Sequence, residues 1–173
     1  KIPTLIHEQN AYPGVTNRIL SRFVDKVAGS FEESIKYFHD PNKVIITGNP
    51  VRDEFLEISK NKLKSTKKNS PLILSFGGSG GQKKLNEAML EVIQKNIDKK
   101  VQIIHVTGKR FYEDFIKSLN KKICSIGSLK ENIKVVPYLY DMPNALASSD
   151  LVITSAGAIT IAEITAVGVP SIL

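Results

Sequence analysis

The sequence predicts an α/β protein with parallel sheets covered by helices on both faces, and three observations predict it. Short apolar runs alternate with stretches of helical period along the whole chain. Most runs are continuous rather than alternating, as a strand buried on both faces requires. Small-residue turns follow two of the runs and lead straight into helical stretches, the order expected of right-handed parallel crossovers.

Strands are expected at residues 4–7, 26–29, 44–47, 72–76, 101–107, 133–136, 151–154 and 170–173. The clearest helix covers residues 82–97, where Leu85, Met89, Val92 and Ile93 recur at three- and four-residue spacing and form one apolar face. Tyr12-Pro13-Gly14 introduces another helix. Ser30 and Glu33 have the spacing of a capping box ahead of a helix at 35–38, and Pro143 after Asp141 suits an early-turn proline behind an N-cap. Between about residues 58 and 71, Lys, Ser and Asn replace the apolar periodicity. The expected division is therefore residues 1–49 as the end of one domain, 50–70 as a junction with a Lys-rich linker, and 71–173 as most of a second domain. No repeat of solenoid period interrupts this pattern.

Composition narrows the class. With 42% hydrophobic and 24% charged residues, the chain reads as an ordinary globular protein, and no apolar run approaches the roughly 18 residues of a membrane span. Cys124 is the single cysteine, so no internal disulfide forms and a reducing cytoplasm is the expected compartment. The net charge of +7 raises the question of nucleic acid. The run Lys60, Lys62, Lys64, Lys67 and Lys68 reads as a solvated linker, and the few aromatics do not interleave with basic residues as a base-stacking platform requires. No nucleic-acid partner is expected; anionic lipid or phosphate ligands fit the charge better. The chain opens in the apolar run 2–6 without a methionine and stops inside the run 169–173. Both ends read as strand interiors, so a piece of a longer protein is expected.

Four segments carry chemistry. Gly77-Gly78-Ser79-Gly80-Gly81 lies between a buried strand and the strongest helix, where backbone N–H groups and the helix N-terminus can meet a phosphate. A tight turn or flexible linker is the alternative; the position at the carboxyl edge of a strand favours phosphate, and a diphosphate of some kind is as far as the motif goes. Ser155-Ala156-Gly157-Ala158-Ile159-Thr160-Ile161-Ala162-Glu163 repeats the strand–turn–helix order, with Thr160 and Glu163 on one helix face. Glu163 can accept both hydroxyls of a ribose, or can simply be an exposed helix residue; the adjoining glycine turn favours the ribose. Gly48-Asn49-Pro50-Val51-Arg52 presents an arginine at the domain junction, a phosphate clamp or a surface residue. His7-Glu8-Gln9-Asn10 ends an apolar strand, where polar side chains would face a crevice and meet sugar hydroxyls; His7 is given no chemistry.

These motifs, with Pro13-Gly14 and Asn17-Arg18, run in order over essentially the whole chain, and together they resemble the bacterial undecaprenyl-diphospho-muramoylpentapeptide N-acetylglucosaminyltransferases of glycosyltransferase family 28. The resemblance implies the GT-B fold, two Rossmann-like domains with a nucleotide-sugar site between them, each incomplete here. It implies a UDP-N-acetylglucosamine donor, a lipid I acceptor and transfer to the muramoyl 4-hydroxyl with inversion, giving lipid II. It further implies a peripheral protein on the cytoplasmic face of the bacterial membrane, meeting an anionic surface and using no cofactor. By position, Asn10 is similar to the family's sugar-side contact, Arg52 and Ser79 to its diphosphate ligands, and Leu139 to the residue whose backbone meets uracil. Ala158, Ile159, Thr160, Ile161 and Ala162 resemble the turn and helix around diphosphate and ribose, with Glu163 on the ribose hydroxyls.

Two departures matter. Ser155 stands where many members carry arginine, and Leu139 where isoleucine is usual. The family's N-terminal glycine loop with its histidine, and a glutamine-containing segment beyond the last strand, lie outside this chain, so no catalytic base is assigned. The absence of an Asp-x-Asp pair gives no reason to expect a metal, so a metal-independent donor site is expected. A 2-epimerase-type enzyme of the same nucleotide sugar, or a UDP-sugar-binding fragment without chemistry of its own, remain the alternatives.

Overall fold

A computed structural model describes residues 2–62, 70–78, 80–123 and 131–173. The chain divides into two compact units, Lys1–Val51 and Arg52–Leu173. Ser79, Cys124 and residues 63–69 of the expected linker lie outside the described residues.

In the first unit three parallel strands, β1 (Leu5–Glu8), β2 (Lys26–Gly29) and β3 (Val44–Ile46), pair in sequence order. Between β1 and β2 runs α1 (Val15–Leu20), whose N-cap is Gly14. After β2 the chain forms a 3-10 helix, Glu32–Tyr37, and the capping box expected of Ser30 and Glu33 is not made: Phe31 is the N-cap and no side chain caps it. The reason is competition. Ser30 Oγ lies 2.8 Å from the Glu8 carbonyl and 2.8 Å from Asn49 Oδ1, so its hydroxyl is spent tying strand ends together. Lys43 donates through Nζ to the carbonyl of Val24 at 2.9 Å, serving the chain just beyond α1.

The second unit opens with α2 (Asp53–Lys62), a helix inside the stretch whose composition reads as junction and linker. Its few apolar residues suffice because Phe55 is wholly buried and the helix packs on α5 (Met142–Ser148) and α6 (Ala158–Val167). The sheet is fully parallel. Its strands β4 (Leu72–Phe76), β5 (Gln102–Val106), β6 (Ile133–Val136), β7 (Leu151–Thr154) and β8 (Ser171–Ile172) take the order β6-β5-β4-β7-β8. Strand order therefore reverses at the β4–β7 pair. Asp150 holds one end of that pair, its carboxylate accepting from the Leu72 amide at 2.7 Å, and Thr154 holds the other, its hydroxyl donating to the Phe76 carbonyl at 2.6 Å.

Side chains on alternate positions divide between the two faces. Ile103 and Ile133 pack with α3 (Lys83–Asn96) and α4 (Tyr112–Ile123), joined by Met89, Ile93, Phe115 and Leu119. Each such side chain contributes about 1.5–3 kcal/mol through removal from water. At the carboxyl end of this face the apolar series gives way to Ser75 and His105, cross-strand partners that are both completely buried. Among the described residues no well-formed hydrogen bond reaches either His105 ring nitrogen or Ser75 Oγ, and the imidazole lies against the Phe115 ring at 4.8 Å. Burial pushes the His105 pKa down to about 4, the Ser75 backbone offsetting part of the effect.

A histidine whose folded pKa lies below its unfolded value binds protons more readily when the chain is unfolded, so stability is full above the unfolded pKa and falls on acidification toward pH 4. We expect the second unit to lose up to about 3 kcal/mol between pH 7 and pH 4 on this account, and His105→Leu to flatten that dependence. Urea unfolding of both proteins at the two pH values measures it. Parallel pH profiles would show that His105 is not the responsible group.

Candidate functional site

Four loops leave the carboxyl edge of the second sheet: residues 77–78 and 80–81 after β4, 107–108 after β5, 137–140 after β6 and 155–157 after β7. The first two are pressed together backbone to backbone. Gly81 (φ +75°) and Gly108 (φ +84°) both adopt left-handed conformations; a Cβ on Gly81 would collide with the Thr107 carbonyl, and one on Gly108 would lie 2.5 Å from the Gly80 carbonyl. Beside this contact Asn86 of α3 donates from Nδ2 to the Thr107 carbonyl at 3.0 Å. Part of the glycine content that sequence reasoning ascribed to phosphate approach is thus required by the fold itself.

Beyond this contact lies a cavity of about 340 Å³ lined by Arg52, Phe76, Gly78, Val106, Tyr138, Leu139, Tyr140, Met142, Ile159, Thr160 and Glu163. Of the residues singled out from sequence, the structure brings together Arg52, Leu139, Ile159, Thr160 and Glu163 here. Ala158 opens α6 behind the N-cap Gly157, and the first-turn N–H groups of that helix have no intrahelical acceptor. Ile161 and Ala162 lie in α6 but do not line the cavity.

Charge is unevenly distributed. Burial raises the Glu163 pKa above its ordinary value, and the nearby Arg52 pulls it partly back. Arg52 is itself engaged: its guanidinium lies 3.4 Å from the Glu54 carboxylate and 4.9 Å from the Phe55 ring centroid. Both charged partners of that pair are exposed, so the bond is weak and exchangeable. The site can thus offer an exposed guanidinium, a helix N-terminus and a partly desolvated carboxylate acceptor. Sequence reasoning missed the aromatic wall. Tyr138 and Tyr140 stack edge to face at 4.9 Å, with the Lys109 ammonium 5.5 Å above the Tyr138 ring. The signal available was the alternation Tyr138-Leu139-Tyr140, which puts two aromatics on the same side of an extended segment.

In the first unit the His7–Asn10 segment turns inward on itself. Glu8 is buried, and its carboxylate accepts from the Asn10 amide at 2.9 Å, Asn10 Nδ2 at 3.2 Å, the Gly14 amide at 3.0 Å and Asn17 Nδ2 at 2.9 Å. Burial alone would raise its pKa; the hydrogen bonds from Asn17, Asn10 and Gly14 outweigh that and hold the carboxyl below the ordinary range. Asn49 donates to the Gln9 carbonyl at 3.1 Å, which seats the Gly48–Pro50 turn against the end of β1. Asn10 is exposed, with its side-chain N–H already given to Glu8.

A parallel sheet with a crevice at its point of strand reversal is the class of site that takes nucleotides and their sugars. The family profile "Glycosyltransferase family 28 C-terminal domain" matches residues 72–173, and the corresponding N-terminal domain profile matches residues 1–29. The chain belongs to glycosyltransferase family 28, and its two parallel sheets flanked by helices are of the GT-B class of Rossmann-like domains. It is 49% identical over 178 residues to the UDP-N-acetylglucosamine--N-acetylmuramyl-(pentapeptide) pyrophosphoryl-undecaprenol N-acetylglucosamine transferase of Acetivibrio thermocellus, a match spanning 100% of this chain and 46% of that protein. The chain thus spans less than half the length of that curated relative. The crystal structure of Acinetobacter baumannii MurG superposes with a TM-score of 0.64 at 30% identity, over 94% of this chain and 42% of that one. A Neisseria meningitidis UDP-GlcNAc 2-epimerase gives the same TM-score of 0.64 at 20% identity, over 98% of this chain and 51% of that one, a likeness of fold alone.

Gly81→Ala is expected to destabilise the second unit by at least about 2 kcal/mol, since the new methyl meets a carbonyl and the backbone is held at positive φ. Gly80→Ala, at a position where a Cβ meets nothing within 4 Å, should change stability by less than about 1 kcal/mol. Denaturant titration of both variants separates a loop that is packed from one that is merely flexible.

Proposed function

We propose that this chain supplies the donor site of a transferase that moves N-acetylglucosamine from UDP-N-acetylglucosamine to the 4-hydroxyl of the muramoyl sugar of lipid I, with inversion, giving lipid II. The observation that carries the reading is the convergence of Arg52, the α6 N-terminus and the half-desolvated Glu163 in one cavity at the β4–β7 reversal. The 49% identity to a protein named for this transfer supports it. In this reading residues 1–49 are the end of the acceptor- and membrane-side domain, 50–70 the junction and 71–173 the donor domain.

Each residue then has a physical task. Arg52 leaves Glu54 for the diphosphate, joined by Ser79 and the free N–H groups around Ala158, Ile159 and Thr160. Ile161 and Ala162 hold that turn of helix in place, and Glu163 accepts the ribose hydroxyls. The Leu139 backbone reads the edge of uracil, against Tyr138, and Asn10 meets the sugar through its side-chain carbonyl oxygen. Breaking the sugar–phosphate bond leaves negative charge on UDP, so fixed positive groups there stabilise the transition state more than the ground state. The 2-epimerase reading has fold likeness alone behind it.

Membrane association at the cytoplasmic face is part of the same reading. Val15, Ile19 and Phe23 are more than half exposed beside Arg18 and Arg22, a combination suited to an anionic lipid surface.

Arg52→Ala should weaken UDP and UDP-N-acetylglucosamine alike by about 1–3 kcal/mol, the loss of a charge-assisted bond; calorimetric titration with an unchanged UDP affinity would make Arg52 a surface residue. For Glu163, UDP and 2′,3′-dideoxy-UDP are titrated against wild type and Glu163→Gln. The variant should lose about 1–3 kcal/mol of UDP affinity and most of the preference for the diol. Because the Glu163 pKa is raised, wild-type UDP affinity should also fall as pH drops through that raised value, and the glutamine variant should not follow. A coupling energy near zero removes Glu163 from the ribose.

A further inference from the structure

Arg52 lines two cavities of the second unit. One is the donor cavity. The other, of about 400 Å³, shares Arg52 and Tyr140 with it and is walled by Glu54, which does not line the donor cavity. Glu163 lines the donor cavity and not its neighbour. One guanidinium is thus common to both cavities, with a different carboxylate in each. Beneath that guanidinium, its centroid 4.9 Å away, is the ring of Phe55, which is wholly buried. A ring fixed in the core seats the face of the flat cation and leaves its N–H edge free to choose a partner. Glu54 meets that edge at 3.4 Å. Glu163 feels the same charge, since Arg52 offsets part of the rise that burial gives its pKa.

This pair separates at little cost. The side chains of Arg52 and Glu54 are 56% and 64% exposed, so water screens their attraction. Glu54 lies in the first turn of α2, where the helix N-terminus favours a carboxylate with or without Arg52. A diphosphate brings more charge and more acceptor oxygens than one carboxylate, and a guanidinium pairs with it more strongly. We propose that Glu54 is a positioning residue of the donor site: it holds the Arg52 guanidinium when no diphosphate is bound and competes with the diphosphate for it. Nucleotide is then held less tightly, and leaves faster, than Arg52 alone would allow. Glu54 acts through Arg52 and touches no ligand, so its effect is confined to the phosphates and leaves the nucleoside alone. The inference rests on the donor-site reading of Arg52, and adds to it a residue that weakens binding where the other groups assigned to the diphosphate strengthen it.

UDP, inorganic pyrophosphate and uridine are titrated calorimetrically against the full chain, Glu54→Gln, Arg52→Ala and the double variant. Glu54→Gln should raise affinity for UDP and pyrophosphate about two- to fivefold, the worth of an exposed ion pair, and leave uridine unchanged. Stopped-flow displacement should show the gain for UDP as slower dissociation. In the Arg52→Ala background the same change at Glu54 should alter none of the three affinities, which a double-mutant cycle reads directly. A gain of equal size with and without Arg52 would be a general effect of removing a negative charge and would overturn the proposal. So would a gain for uridine, or no gain at all. If Arg52→Ala leaves UDP affinity unchanged, the donor-site reading fails and this inference with it; if Arg52→Ala weakens UDP while Glu54→Gln gains nothing, this inference fails alone.

Discussion

The parallel pairing of β4 with β7 is the constraint on which the rest of the second unit depends. Right-handed crossovers that leave adjacent strands in opposite directions must pass on opposite faces of the sheet. From β4 the chain passes to β5 through α3, and from β7 to β8 through α6. The two exits diverge, and a crevice is left between them that neither connection can fill. Asp150 and Thr154 clamp the pair at its two ends, so the crevice has a fixed base. Everything proposed for ligand recognition in this unit, from the free amides of α6 to the aromatic wall, is placed relative to that base.

Electrostatics divides the polar residues into those the fold uses and those it leaves over. Glu8 is buried as thoroughly as a core residue, but four donors surround it, and its carboxyl is held below the ordinary range. Glu163 shows the opposite balance, with desolvation outweighing the nearby Arg52. The first is an organiser of a turn; the second has capacity to spare for a ligand. Glu8 ends β1 and Glu163 lies within α6, and the donors around the first are what set the two carboxylates apart.

Much of the architecture was legible in the sequence because continuous apolar runs leave little choice of partner. The strands expected at residues 26–29, 72–76, 133–136 and 151–154 coincide with β2, β4, β6 and β7, and the others differ by a residue or so at their ends, where burial fades before pairing does. Local hydrogen-bond signals were less informative. Ser30 had the right spacing for a cap, but two acceptors distant in sequence hold its hydroxyl. α2 escaped notice because its polar composition hides one deeply buried phenylalanine. Tyr138 and Tyr140 went unremarked for a related reason: an exposed aromatic pair carries no periodic signature, and its meaning comes from the cavity beside it. In the glycine-rich turn the composition was plain while its cause was not, since ligand approach and chain packing ask for the same residue.

The contact between Gly81 and Gly108 bears on how this protein's relatives can diverge. Two stretches of backbone touching without side chains between them form a joint that tolerates no larger residue at Gly81 or Gly108. Changes in ligand preference must then accumulate on the far rims, in the segment bearing Tyr138 and Tyr140 and along the outer turn of α6, where side chains can be exchanged freely. A mutational library scored for altered preference would accordingly be silent at Gly81 and Gly108, and that silence would report on folding, leaving the question of what the turn binds untouched.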